Sequence, residues 1–365
     1  MPRLPPSLFR RAHGISPPLA ALLPACRDLD SARNELRWIR EHVADIITSC
    51  AHNPESGVNV KRNEEALITR LCRKRGAGVP LQYVLGSQPF GDLEIKCRPG
   101  VLIPRPETEA WAVRLAEVVK EPHNNKGEHT SLRILDLCTG TGCIPLLLYS
   151  LLHRRFRDLN VMGFDIERRA VTLAKENLAY NQGRGLLPKT RESVEFKEAD
   201  IFSTDWLAPL LEQNHPTESG RGAVDILVSN PPYISAKGFN RDTARSVRRF
   251  EPRLALVPGL SAYSPSHADV RPEDIFYARI LDVAKILRPQ FTVLEVGDLA
   301  QAVRVVQMAR SRYSEVDGEV EIEIWRDWPN MKPLEDEPES VDVGGVETPV
   351  RGSGHGRAVY IRRTN

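Results

Sequence analysis

The sequence predicts an α/β protein. Its core is a seven-stranded, mostly parallel, Rossmann-like sheet closed by an antiparallel C-terminal pair, preceded by a small helical domain and a connecting β-hairpin. Three observations predict it. Short apolar runs near 133–137, 161–165, 194–197, 225–229 and 291–296 alternate with helical patterns near 143–153, 167–180 and 275–287. Such alternation gives a parallel sheet covered on both faces. Ile134 to Gly142 reads as a strand entering a helix through a tight Gly-rich turn, and Val224 to Tyr233 as a buried strand running into Asn-Pro-Pro-Tyr.

The chain has 365 residues, enough for two domains, each with its own core. A net charge of +2 argues against a nucleic-acid coat and against an acidic partner surface. No apolar run approaches the roughly 18 residues of a membrane span. The six cysteines contain no CxxC pair, so neither a disulfide framework nor a metal site is expected, and the composition fits a reducing compartment.

Residues 1–27 carry Arg3, Arg10, Arg11 and Arg27 and no acid, the composition of an organelle presequence or of a disordered basic tail. The mitochondrial matrix is the favoured destination, with the cytoplasm as the alternative. Residues 28–80 read as a helical, substrate-docking domain. Leu36, Ile39, Val43, Ile46 and Ile47 fall at helical spacing, and Asp30 or Ser31 is placed to cap the start. A second helix spans 61–75 with Ala66, Leu67 and Leu71 inward, four cations at its C-terminal end, and Gly76 as its stop. Trp38 is assigned to this core.

Residues 81–105 form the linker, with short extended runs at Phe90–Ile95 and Val101–Ile103 separated by glycines. The catalytic domain is drawn from 106 to 365. Pro106 suits the first turn of a helix, and Glu107 and Glu109 suit its N-terminal dipole. Arg105, held between two prolines, is a surface arginine or a residue facing a site. Residues 121–130 are a polar loop, as are 183–192, 212–222 and 258–272. Val320 to Trp325 and Ala358 to Arg362 supply the antiparallel pair. Residues 331–356, rich in acids, prolines and glycines, read as a flexible, disordered insertion.

The chemistry concentrates at strand ends. Cys138, Thr139, Gly140, Thr141 and Gly142 form a turn whose glycines allow close approach of a ligand. The third glycine of a dinucleotide fingerprint is replaced by Pro145, and no Lys-Ser/Thr follows as in a P-loop. Asp165, 23 residues after Gly142, stands where an acid accepts hydrogen bonds from ribose hydroxyls. Asp200, after the third strand, is placed to face an adenine edge. Together these residues describe a pocket for S-adenosylmethionine. In Asn230-Pro231-Pro232-Tyr233, the prolines remove two N–H donors and hold the polar amide of Asn230 rigidly at the carboxyl end of a strand, where open α/β sheets bind ligands.

With these motifs the chain resembles the HemK/PrmC family, the N5-glutamine methyltransferases of peptide-chain release factors. Pro80–Gly86, Gly100–Glu109, Val247–Pro252 and Leu294–Gly297 are similar to that family's segments as well. The likeness covers about residues 30 to 330 and the last strand, and the helical domain points to the bacterial and organellar branch. The resemblance implies a class I S-adenosylmethionine-dependent methyltransferase fold. It also implies methylation of the glutamine in a Gly-Gly-Gln loop of a class I release factor, in or outside mitochondria, by a monomer that requires no nucleic acid. Asn230, Pro231 and Tyr233 would be catalytic: the Asn side chain and the Pro231 carbonyl hold the amide, Tyr233 packs on it, and Pro232 stiffens the turn. Arg105 joins the substrate site. Cofactor residues carry over to 138–142, Asp165, Asp200, Ile201 and Asn230. Two positions depart from the pattern. Cys138 replaces a usual glycine, which the turn tolerates if φ is negative, and Ile201 replaces a common aromatic.

Arg241, Arg245, Arg248, Arg249 and Arg253 read as a solvated helix face or as a contact to the release factor or nucleic acid. Asn-Pro-Pro-Tyr is shared with adenine-N6 nucleic-acid methyltransferases, which makes that activity the first alternative. The second is a non-catalytic module that kept the fold.

Overall fold

The computed structural model describes residues 3–51, 60–121, 131–189, 194–213, 223–259, 269–313 and 319–364. The chain divides into two compact units. The first comprises Met1–Gln88, Cys97–Pro99 and Ala244–Glu251, and the second Pro89–Lys96, Gly100–Thr243 and Pro252–Asn365. Among the described residues no helix is long and apolar enough to cross a membrane.

The first unit is built from α1 (Pro6–Ile15), α2 (Pro17–Cys26), α3 (Leu29–Ala51), α4 (Val60–Gly76) and α5 (Leu81–Leu85). Residues 6–26 are therefore helical rather than a disordered tail. Ser16, with φ −164, separates α1 from α2, and its hydroxyl accepts the Leu19 N–H at 3.3 Å. Leu19, Leu22 and Leu23 of α2 are buried with Leu36, Ile39 and Val43 of α3 and Ile68, Leu71 and Cys72 of α4. The hydrophobic effect thus recruits the N-terminal helices into the core that the sequence assigns to residues 28–80. Asp28, not Asp30 or Ser31, caps α3: its Oδ1 accepts the Ser31 N–H at 2.8 Å. Trp38 is 42% exposed rather than core, and Ala66 faces solvent two positions before the buried Ile68. Arg75 forks onto Glu35, Nε to Oε2 at 2.7 Å and Nη2 to Oε1 at 2.9 Å. A short helix later in the chain, α11 (Arg245–Phe250), belongs to this unit too. The arginine run is therefore split: Arg245, Arg248 and Arg249 lie here, and Arg241 and Arg253 in the second unit.

The second unit holds most of the hairpin β1 (Ser87–Phe90) and β2 (Leu93–Lys96), then a large sheet. Its strands are β3 (Ser131–Leu137), β4 (Asp158–Asp165), β5 (Val194–Glu198), β6 (Ile226–Ser229), β7 (Phe291–Glu295), β8 (Glu319–Trp328), β9 (Ser340–Val343), β10 (Val346–Arg351) and β11 (Ser353–Thr364). Their order is β5-β4-β3-β6-β7-β11-β8-β10-β9. The first five are parallel, and β11 runs antiparallel between β7 and β8. The seven expected strands are present, and two more extend the edge beyond β8. These come from 331–356, which is ordered rather than a flexible insertion. β10 pairs parallel with β8 and antiparallel with β9 across Gly344-Gly345, both at positive φ. Residues 101–103, expected as extended strand, join no strand.

Side chains alternate along each strand and so feed two cores. One packs under α6 (Pro106–Lys120), α7 (Cys143–Leu152) and α8 (Arg168–Gly183), with Trp111, Leu115, Leu147 and Phe156 buried. The other packs under α9 (Leu207–Gln213), α12 (Ile275–Leu287) and α13 (Leu299–Arg312), with Tyr277, Leu281, Val305 and Val306 buried. A one-turn helix, α10 (Ala236–Arg241), follows the Asn-Pro-Pro-Tyr turn. α13 was not anticipated, although Asp298 caps it by accepting the Gln301 N–H at 2.7 Å. Two buried amides on α8 take the place of a strand beside β2. Asn181 exchanges hydrogen bonds with the Glu94 N–H and C=O, both at 3.0 Å. Asn177 accepts the Lys96 N–H at 2.7 Å and donates to the Thr141 carbonyl at 2.9 Å. The loops at 121–130, 212–222 and 258–272 fall largely outside the described residues, whereas 183–189 are described, with Gly183 ending α8 and Leu187 buried.

Candidate functional site

The carboxyl ends of β3, β4, β5 and β6 converge on one cavity of about 280 Å³. The turn from β3 to α7 is its floor. Thr139 N–H donates to the Phe164 carbonyl at 2.9 Å, Gly142 N–H to the Thr139 carbonyl at 2.9 Å, and Gly140 N–H to Asp165 Oδ2 at 2.8 Å. This folds the chain tightly enough to need three left-handed residues in five: Cys138 (φ 64), Gly140 (φ 55) and Gly142 (φ 77). The negative φ expected at Cys138 is not found. A non-glycine residue in this region costs about 1 kcal/mol or more, so Cys138 carries strain that the usual glycine would not. Its thiol is pushed well above the ordinary cysteine range, chiefly by burial and then by the nearby acids.

The two glycines have different surroundings. A Cβ on Gly142 would meet Ala174 Cβ and Phe196 Cζ, both at 2.9 Å, whereas a Cβ on Gly140 would meet nothing within 4 Å. Gly142 is the seat of α7 and Gly140 opens onto the cavity.

Asp165 ends β4, and its Oδ1 accepts the Glu167 N–H at 2.9 Å. Burial raises its carboxyl, while these backbone donors pull it down. Asp200, beyond β5, accepts the Phe202 N–H at 2.9 Å. Arg279 holds that loop by donating to the carbonyls of Ile201 and Ser203, both at 2.7 Å. Phe202 packs edge-on against Phe276, with ring centroids 5.0 Å apart. Both rings line the cavity, supplying beside Ile201 the aromatic surface whose loss the sequence suggested. Asp136 lies in β3 directly before the turn. Neither of its oxygens, nor Thr139 Oγ1, has a hydrogen-bond partner among the described residues, and burial pushes the Asp136 carboxyl up to about 8.

On β6, Ser229 donates to the Leu137 carbonyl at 2.6 Å, tying the Asn-Pro-Pro-Tyr turn to the end of β3. Asn230 and Pro232 line the cavity with Cys138, Thr139, Gly140, Thr141, Asp165, Asp200, Ile201 and Arg105. Gly142, Pro231 and Tyr233 are not among its lining residues. Tyr233 turns its hydroxyl to Glu295 Oε1 at 3.2 Å, and Gln301 donates to its backbone carbonyl at 3.2 Å.

Three residues around the turn were missed individually, although their segments carried the resemblance or flanked it. Glu295 at the end of β7 accepts from Thr108 Oγ1 at 2.6 Å and from Trp111 Nε1 at 2.8 Å, and Asn230 Nδ2 lies 3.4 Å from Thr108 Oγ1. An acid closing the otherwise apolar run from Phe291 to Leu294 was the signal: a carboxylate in such a strand needs donors around it. Burial raises Glu295, opposed by Thr108, Trp111, Arg357 and Tyr233.

The arrangement can hold an extended, partly aromatic ligand along the strand ends, with a neutral amide at its reacting end. No protein-family model matches the chain. Individual relatives do match. The mitochondrial MRF1 N(5)-glutamine methyltransferase MTQ1 of Saccharomyces cerevisiae is 37% identical over 264 residues, covering 72% of this chain and 70% of that protein. The probable MRF1 mitochondrial N(5)-glutamine methyltransferase mtq1 of Schizosaccharomyces pombe is 33% identical over 243 residues, covering 66% and 69%. The release factor glutamine methyltransferase of Aliivibrio fischeri is 34% identical over 250 residues, covering 68% and 70%.

Proposed function

Because the chain belongs to the family of release factor N5-glutamine methyltransferases, we propose that it methylates the side-chain amide nitrogen of a glutamine in a mitochondrial peptide-chain release factor. S-adenosylmethionine is the donor. The glutamine is that of a Gly-Gly-Gln loop, and the enzyme acts in the matrix as a monomer without nucleic acid. The observation that carries this reading is the placement of Asn230 in the wall of the cavity formed by the glycine turn, Asp165 and Asp200.

The residues fit the cofactor. Gly140 leaves open the space a side chain would fill. The unpartnered Thr139 oxygen, in the cavity wall, suits a ligand with N–H groups. Asp165 and Asp200 each keep lone pairs beyond the backbone donors they accept. Phe202, Phe276 and Ile201 offer a flat apolar wall for a nucleobase.

When bound, the cofactor supplies an activated methyl on a sulfonium. The protein's task is then to aim a poor nucleophile, since the amide lone pair is delocalised. Asn230 Oδ1 and the Pro231 carbonyl accept the two N–H groups of the glutamine amide, which directs the nitrogen. Pro231 and Pro232 keep that turn from yielding, and Tyr233, anchored on Glu295, braces it from behind. Positioning and exclusion of water account for catalysis, with no strong base required.

The test combines purified protein, radiolabelled S-adenosylmethionine and either a mitochondrial release factor or its Gly-Gly-Gln variant with alanine for glutamine. Label on the wild-type factor alone supports the proposal. Label on nucleic acid, or label retained on the alanine variant, overturns it.

A further inference from the structure

We propose that Thr108 and Glu295 are positioning residues that fix which way the Asn230 side-chain amide faces, turning its carbonyl oxygen rather than its NH2 group toward the substrate. This rests on the functional reading above.

The inference follows the protons. Glu295 is 1% exposed, and its Oε2 accepts from the indole N–H of Trp111 at 2.8 Å. An indole nitrogen can only donate, so Oε2 is an acceptor. Thr108 Oγ1 lies 2.6 Å from the same oxygen and gives it its single proton. Tyr233 holds the other oxygen at 3.2 Å. Strand β7 cannot drift away, because Tyr277 donates to the Glu295 carbonyl at 2.7 Å. Arg357 hydrogen-bonds the neighbouring Val296 carbonyl at 3.4 Å, is braced by Asp327 at 2.8 Å, and sets a positive charge nearby.

Thr108 is left with lone pairs only, and they face Asn230. An Asn230 carbonyl there would oppose an oxygen with no proton to offer. The NH2 group, 3.4 Å away, satisfies both sides. Oδ1 is thereby left for the cavity that Asn230 lines. A glutamine amide nitrogen presents two N–H donors and needs acceptors. An asparagine turned the other way would offer it a donor, or would accept a glutamate carboxylate instead. The pair thus sets the sign of the hydrogen bond on which recognition depends.

The experiment uses full-length Thr108→Val and Thr108→Ser proteins. Steady-state methylation of the release factor is measured with S-adenosylhomocysteine affinity and melting temperature. A release factor carrying glutamate for the glutamine is added as an inhibitor. Valine keeps the shape and removes the hydroxyl; Thr108→Ala serves the same test should valine perturb folding. Thr108→Val is expected to lower kcat/KM about 100-fold, well beyond any change in S-adenosylhomocysteine affinity. Thr108→Ser restores the rate. The glutamate-bearing factor inhibits Thr108→Val more strongly than wild type, a gain that mere loosening would not produce. Wild-type kcat/KM in Thr108→Val, or no rescue by serine, overturns the inference. Wild-type protein that methylates no release factor overturns the functional reading, and this one with it.

Discussion

Replacing Gly142 and Gly140 separately by alanine should divide folding from ligand binding. At Gly142, alanine would take φ 77, at a cost of about 1–2 kcal/mol. Its Cβ would also press on Ala174 and Phe196 at 2.9 Å, and overpacking of that kind costs about 1–3 kcal/mol. The lower entropy of the unfolded chain returns about 0.5–1 kcal/mol. The net loss is about 1–4.5 kcal/mol. At Gly140 only the backbone term applies, because no atom lies within 4 Å of the added Cβ, so the net loss is about 0–1.5 kcal/mol. That Cβ does occupy ligand space, and a clash of about 1–3 kcal/mol weakens binding roughly 5- to 150-fold. Urea unfolding followed by circular dichroism gives the first quantity, and calorimetric titration with S-adenosylhomocysteine the second. Equal stability losses in the two variants, or wild-type affinity in Gly140→Ala, would refute the assignment of Gly142 to packing and Gly140 to the cavity.

Three further outcomes are expected. Cys138→Gly relieves the left-handed strain and stabilises by up to about 1 kcal/mol, read as a higher melting temperature; in the wild type, iodoacetamide at pH 8 should leave Cys138 unmodified, as its raised thiol requires. Arg75→Ala strands the half-buried Glu35 carboxylate and costs about 3 kcal/mol in urea unfolding, and Arg75→Lys, which cannot fork, fails to recover it fully. Asp136 keeps its proton in the folded chain up to about pH 8 but loses it near pH 4 when unfolded, so its contribution to stability is full below pH 4 and falls as pH rises through that window, by at most about 1.4 kcal/mol per unit. Urea midpoints across pH should show Asp136→Asn flattening that slope; an unchanged slope would show that Asp136 is ionised in the fold.

The parts legible in the sequence were those where one local rule prevails. Continuous apolar runs gave the buried parallel strands β3, β6 and β7, and Pro106 gave the start of α6. The cofactor turn and Asn230 were legible because glycine and proline restrict the backbone whatever surrounds them. What failed depended on tertiary context. Composition made 331–356 look disordered, yet Val341 and Val343 alternate with polar neighbours, as do Val346, Thr348 and Val350, on either side of Gly344-Gly345. That dipeptide supplies the two positive-φ residues of a tight hairpin turn. Trp38 shared the helical period of its neighbours but fell just outside the buried arc. Thr108 and Glu295 lie 187 residues apart, and no spacing rule joins them; only the fold brings the hydroxyl to the carboxylate.

Strand β11 lies between β7 and β8, yet its residues leave the ribosome after both of them. Until residues 353–364 emerge, the sheet exists as two pieces with facing, unsatisfied edges, one of them carrying Glu295. Ribosomal synthesis therefore delivers β7 and β8 before the strand that joins them. A chaperone that shields open strand edges would have its greatest effect in that interval.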